Sequence, residues 1–235
     1  MTPSVYNNDR IQAGELTAQD LEYLWLRFPG RSFEEAVALF QSIRGLNGEL
    51  RVDGMLGPKT QAALPTRELR AGDPESLIAL SLAATAGRRY VFGAEPIKSL
   101  PCRLLTWGEA AAALRPVRAW DCSELVEACC RMLGVLIDGR PLVDGAWRQY
   151  AQLAKAGRAA YSMAGFVPGD LVFTFRDQKG RPVTPDGSQR PAQSHVAILL
   201  NDRGDVIEAA PVAVGPTRAR MGGDVRWTHE ASLFD

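Results

Sequence analysis

The sequence lacks an excess of charge of either sign. Lysine plus arginine and aspartate plus glutamate both number 27 in 235 residues, so the surplus of cations that phosphate-backbone binders use is missing and nucleic acid is not an expected partner. Long apolar runs are missing too. No stretch approaches the roughly 20 residues that cross a bilayer as a helix, and no membrane span is expected. The first residues are polar, with Asn7, Asn8, Asp9 and Arg10 where a signal peptide would carry a basic start and an apolar core; no secretory leader is expected. Cysteine is scarce: four residues at irregular positions, 102, 122, 129 and 130, do not make a disulfide framework. There are only two histidines, His195 and His229, and no Cys-x-x-Cys pair to hold zinc. Free thiols, no metal and no cofactor are the expectation. What is plentiful is apolar content, 46% of the chain, which can supply a core for one domain or for a small domain and a larger one.

The chain reads as two parts. Thr17 followed by Asp20, and Ser32 followed by Glu35, resemble capping boxes ahead of apolar runs. The second run carries Phe33, Val37, Phe40 and Ile43 at helical spacing. A turn-rich stretch, Val52 to Thr60, follows. Residues 1–16 read as an N-terminal extension, 17–64 as a helical domain, 65–73 as a charged linker and 74–235 as a second, α+β domain. In that second domain Asp73-Pro74 opens a helix running to about Gly87, another helix follows Asp121, and short strands are expected near 170–175, 195–200 and 205–210.

One constellation carries chemistry. Asp121 caps a helix whose Leu125, Val126, Cys129 and Leu133 form an inward face and which Gly134 closes, so Cys122 falls in the first turn. There a thiol meets unpaired N–H groups and the positive end of the helix dipole, which favour the thiolate and could stabilise an oxyanion. Cys102, Cys129 and Cys130 read as packing residues, since cysteine is commonly buried. Downstream, Ser194 to Leu200 and Asp205 to Ala210 are strands joined by an Asn201-to-Gly204 turn. Pairing Asn201 with Gly204 sets Ala197 opposite Glu208 and places His195, Ala197 and Glu208 on one face. Glu208 is then diagonal to His195, roughly 7 to 8 Å away at the backbone and within side-chain reach. Nucleophile Cys122, base His195 and orienter Glu208 make a thiol-hydrolase arrangement. His229 reads as structural, and Lys179 to Gln193 as a loop that is either a lid or a plain surface hairpin.

Two resemblances follow from these residues. Gln41, Leu46 and Asp53-Gly54-x-x-Gly57-x-x-Thr60-x-x-Ala63 resemble the peptidoglycan-binding three-helix domain. Tyr90-x-x-Gly93, Asp121-Cys122-Ser123-x-Leu125-Val126, Pro168-Gly169-Asp170-Leu171, His195-Val196-x-Ile198 and Val206-Ile207-Glu208-Ala209 occur in the order of the NlpC-type cell-wall cysteine peptidases, compact relatives of papain. The resemblance spans about residues 75–212. It implies a papain-like domain with the nucleophile helix packed on an antiparallel sheet, and hydrolysis of the γ-D-glutamyl to diamino-acid bond of peptidoglycan stem peptides. Tyr90, Asp121 and Ser123 would border the substrate or oxyanion subsite. Departures are Ala94 for a glycine, Glu124 for the glycine after Cys-Ser, glutamate at 208, and a long Gly93-to-Asp121 insertion that could wall or occlude the cleft. Other reactions on such a fold (amidase, deamidase, acyl transferase) and a non-catalytic wall-binding module of a phage or injection apparatus are the competing readings. Delivery to the periplasm or wall by phage, secretion machine or lysis is expected, with an immunity or apparatus protein as a conceivable partner.

Overall fold

The computed structural model describes residues 2–13, 16, 24, 31–44, 51–62, 64, 69–85, 88–94, 100–160, 167–185, 190–200, 205–211, 213–217 and 227–234. The Thr17/Asp20 pair, residues 65–68 of the expected linker and the Asn201-to-Gly204 turn lie outside these residues. The chain divides into two compact units, Met1–Arg67 and Glu68–Asp235. Among the described residues there are seven helices, and none is long and apolar enough to cross a membrane.

In the first unit, residues expected as an extension are in fact built into the structure. Pro3–Gln12 form helix α1, started by the Thr2 hydroxyl, which accepts from the Val5 N–H at 3.5 Å, and by Pro3 at its first position. Its low apolar content hides it in the sequence because it is anchored by polar groups. Asn7 donates to the Gly54 carbonyl at 2.9 Å and accepts from the Leu56 N–H at 2.7 Å. Arg10 donates to the Leu56 carbonyl and, at 2.8 Å, to Gln61. Helix α2, Phe33–Arg44, begins with the expected capping box: the Ser32 hydroxyl accepts from the Glu35 N–H at 3.2 Å and Glu35 accepts from the Ser32 N–H at 3.0 Å. Its Val37 and Phe40 are buried. Buried Gln41 organises the turn before helix α3, Pro58–Ala62. Its amide nitrogen donates to Asp53, the Met55 carbonyl and Thr60, each at 3.0 Å, and its oxygen accepts from the Asp53 and Gly54 N–H groups. Gly54 has φ 71°, and a Cβ there would lie 3.2 Å from the Glu34 carbonyl.

The second unit is α+β. Helix α4, Pro74–Thr85, is buried along nearly all its length, and Asp73 caps it by accepting from the Ser76 N–H at 3.0 Å. Strand β1, Arg89–Tyr90, pairs in parallel with β2, Ala119–Trp120, and between them lies helix α5, Trp107–Leu114, with a complete Thr106/Glu109 capping box. Helix α6, Cys122–Met132, follows at once. It ends in a Schellman pattern, with Gly134 N–H bonded to the Arg131 carbonyl and Val135 N–H to the Cys130 carbonyl. Gly134 has φ 65°, and a Cβ would sit 2.8 Å from the Leu104 nitrogen. After the small β3–β4 hairpin, Leu136–Ile137 and Arg140–Pro141, come helix α7, Ala146–Lys155, and strand β5, Ala159–Ala160. The remaining strands are β6 Leu171–Arg176, β7 Gln193–Leu199, β8 Val206–Ala210, β9 Ala213–Thr217 and β10 His229–Ala231.

One six-stranded antiparallel sheet, in the order β5-β10-β6-β7-β8-β9, packs against α4 and α6. Ile198 lies opposite Ile207 and Leu199 opposite Val206, the register read from the sequence, and the β6 and β7 ladder runs unbroken from Leu171–Ile198 to Arg176–Gln193. Alternation then separates two sets. Val172, Ala197, Leu199, Val206 and Trp227 form one buried cluster. Phe173 and Phe175 instead meet Tyr150 edge-on, at 5.4 and 5.3 Å between ring centroids. Among the described residues strand β9 lies at the edge of the sheet, and it contains Pro216, a residue that interior strands do not tolerate.

Candidate active site

The site starts at the N-terminus of α6. Asp121 is its cap, with one carboxylate oxygen accepting from the Glu124 N–H at 2.8 Å and from the Ser123 hydroxyl at 3.1 Å. The other oxygen accepts from the Gly93 N–H at 3.1 Å, which ties the Tyr90–Gly93 segment to the helix start. Cys122 therefore stands at the first helical position, where backbone N–H groups precede the helix's own ladder and the dipole is positive. It is buried but opens on a cleft of ≈ 280 Å³ shared with Tyr90, Asp121 and Ser123.

On β7, the His195 imidazole interacts with the Cys122 side chain. Its Nε2 donates to the Glu208 carboxylate at 2.6 Å, which leaves Nδ1 for the sulfur. Glu208 has no exposed side-chain surface and His195 only 15%. The second Glu208 oxygen accepts from the Thr217 hydroxyl on β9 at 2.6 Å, and Trp227 stacks on the imidazole with centroids 5.6 Å apart and planes 18° from parallel. Burial works to lower the His195 pKa, but the hydrogen bonds and negative charge of Cys122 and Glu208 outweigh it and lift it to about 9. The imidazolium is thus the form favoured at neutral pH. The Tyr90 phenol is pushed up, first by burial and then by the charges of Cys122 and Asp121.

Of the other cysteines and the second histidine, Cys129, Cys130 and His229 are buried and Cys102 is half-buried. Cys129 and Cys130 are fully buried, and burial pushes the Cys129 thiol up to about 12 and that of Cys130 well above its usual range. Cys102 donates to the Val135 carbonyl at 3.4 Å. His229 is held between Thr184 and Thr228 at 3.0 and 2.7 Å and packs edge-on against Tyr150 and Phe175. Burial lowers its pKa to about 4.

All six residues singled out in the sequence lie together. Cys122, His195 and Glu208 form a continuous chain of contacts, and Tyr90, Asp121 and Ser123 line the same cleft. None of the described residues of the insertion after Gly93 lines that cleft. Among its described residues, Arg103 and Leu105 instead bond the Arg131 and Met132 carbonyls at the far end of α6. Nor is the whole Lys179-to-Gln193 stretch a free loop, because Val183 donates to the Phe175 carbonyl at 3.1 Å and Thr184 reaches His229. Sequence reasoning missed Thr217 and Trp227. Both sit in segments with no strand signature of their own, β9 with its Pro216 and the short β10 approach. Gln149 of α7, fully buried and donating to the Ser123 carbonyl at 2.9 Å, was missed because α7 was not recognised. The cluster of metal-capable groups among the described residues is Glu124, Glu127 and Asp144, within 4.8 Å of one another. Glu127 is engaged by Arg131 at 2.7 Å and Asp144 by Ser123 at 3.0 Å.

Compared with protein families, with characterised proteins and with solved structures, the chain matches none. The functional reading rests on the residues themselves.

Proposed function

We propose that the protein is a cysteine peptidase of papain-like, NlpC type that hydrolyses peptidoglycan stem peptides. The observation that carries this is the relay from Cys122 to His195 to Glu208, with the thiol at a capped helix start beside a cleft. In this mechanism the Cys122 thiolate attacks the scissile carbonyl carbon, and first-turn N–H groups of α6 receive the developing oxyanion. The His195 imidazolium gives its proton to the leaving amine, forming a thioester. Neutral His195 then takes a proton from water, which attacks the thioester and releases the acid, and the thiolate returns. Glu208 holds the imidazole's orientation and its charge, as a carboxylate does in other nucleophile–base–orienter sets.

The wall as substrate is supported by the five ordered motifs and by the Asp53-Gly54-x-x-Gly57 turn of the first unit, which would make residues 17–64 a peptidoglycan-binding domain. The γ-D-glutamyl to diamino-acid bond is the expected point of cleavage. Other chemistry on the same relay, such as deamidation or acyl transfer, would give different products. Mass spectrometry of the soluble fragments released from purified sacculi distinguishes them: new amino termini on the diamino acid are expected from the parent chain and none from Cys122→Ala. Fragments lacking a cleaved γ-glutamyl bond, or equal release by both chains, would sink the reading.

A further inference from the structure

Two arginines stand in the cleft, which Asp121 and Asp144 also line, and among the described residues neither is paired with a carboxylate. Arg148, in the first turn of α7, lies over the Trp147 ring at 5.1 Å, and Arg190, just before β7, over the Phe92 ring at 5.4 Å. Both pairs line the cleft into which Cys122 opens. Phe92 is 69% exposed, an unusual exposure for a large apolar ring, and the Arg190 guanidinium lies over its face. Cation–π contact fixes a guanidinium by its face and leaves its edge, where the N–H donors are, turned outward. Among the described residues neither guanidinium has an ion pair or hydrogen bond. The acidic groups lining the cleft are otherwise committed: Asp121 caps α6 and holds Gly93, and Asp144 accepts from Ser123. The start of α7 also opens here. Gly145, at φ 92°, gives it no side-chain cap, so its positive end adds to the two arginines.

We propose that Arg148 and Arg190 form a carboxylate-recognising rim of the Cys122 cleft, which selects peptides bearing a free carboxylate beside the scissile bond. This rests on the peptidase reading of the same cleft. The chemistry suits a glutamyl residue linked through its side chain, because γ-linkage leaves the α-carboxylate free next to the bond that is cut. A planar, forked guanidinium binds such a group through paired N–H donors, and a carboxamide at that position offers only one acceptor and no charge.

The test compares L-alanyl-γ-D-glutamyl-L-lysine with its α-carboxamide analogue, using the full chain. Binding is titrated in Cys122→Ala, so that it is read apart from turnover, and hydrolysis in the parent. The Cys122→Ala chain is expected to bind the carboxylate form at least about tenfold more tightly, the scale of one charge-assisted hydrogen bond. Adding Arg148→Gln and Arg190→Gln should bring the ratio close to one, and in the parent background the same pair should raise KM for the carboxylate peptide more than it lowers kcat. Arg140→Gln, which removes an arginine outside the cleft, should keep the parental ratio. Both arginines are exposed, so folding is checked by an unchanged thermal midpoint. Equal affinity for the two peptides, no binding of either, or a preference that survives the double substitution overturns the rim. A carboxylate preference in binding with no hydrolysis by the parent would uphold the rim and overturn the peptidase reading.

Discussion

The molecule places two histidines on the two strands that flank β6 and gives them opposite characters. His195 lies opposite Thr174 and His229 opposite Phe173, adjacent residues of β6, so alternation sends the rings to opposite faces. His195 meets a thiol and a carboxylate, and its pKa rises to about 9. His229 meets two hydroxyls and two aromatic rings, and its pKa falls to about 4. Burial pushes both downward; only the presence of anionic partners decides the outcome. A histidine in a core is therefore chemically idle unless the fold also brings it a charge.

The sharpest way to break this comparison is substitution. His195→Ala is expected to lower stem-peptide hydrolysis by about a thousandfold or more, the scale of a lost base acting with its nucleophile. His229→Ala should leave the rate per folded molecule near the parental value and instead lower stability by about 2 to 4 kcal/mol, from the cavity and the stranded threonine hydroxyls. Urea titration and active-site counting would separate the two effects. Equal losses of rate in both would erase the distinction.

A second test removes the charge rather than the ring. Glu208→Ala is expected to cost about 10² to 10⁴ in rate, and Glu208→Gln less, since an acceptor is kept. Without the carboxylate the imidazolium is less favoured, so the pH above which activity falls should move down from about 9. An unmoved alkaline limb in Glu208→Ala would show that another group holds His195.

The third and smallest effect is on stability against pH. The folded state binds the His195 proton more tightly than the unfolded state, so that contribution is whole below the ordinary value of 6.5 and is lost as pH rises through about 9. For His229 the folded state resists protonation, so stability falls as pH drops from 6.5 towards about 4. Relative to the parent, His195→Gln should flatten the alkaline side of the stability profile and His229→Gln the acid side. Denaturant midpoints measured from about pH 3.5 to about pH 9.5, a range that spans both windows, would show whether the two sides are separable.

The line of legibility runs between local and assembled features. Asp121, Cys122 and Gly134 could be read because a cap, a first turn and a Schellman glycine are written in consecutive residues, and the β7–β8 register because it follows from a short turn and period two. Thr217 and Trp227 touch Glu208 and His195 only after the sheet has closed around them, and nothing local marks them. Helix α1 was hidden for the converse reason: its anchoring runs through Asn7 and Arg10, polar residues that hydrophobic periodicity does not weigh. The insertion before Asp121 could be seen but not placed, since its backbone bonds go to α6 carbonyls that only the fold brings near.

Thr217 lies on β9, the last strand in the sheet order among the described residues. Edge strands open locally at a fraction of the free energy that unfolds a whole domain. Each such opening would withdraw a hydrogen bond from Glu208 while α6 and the inner strands stayed folded. The proposed hydrolysis would then depend on this outer strand: the amides of residues 213–215 and 217 should exchange with solvent faster than those of β6 and β7, and mild denaturant should abolish hydrolysis before the core melts.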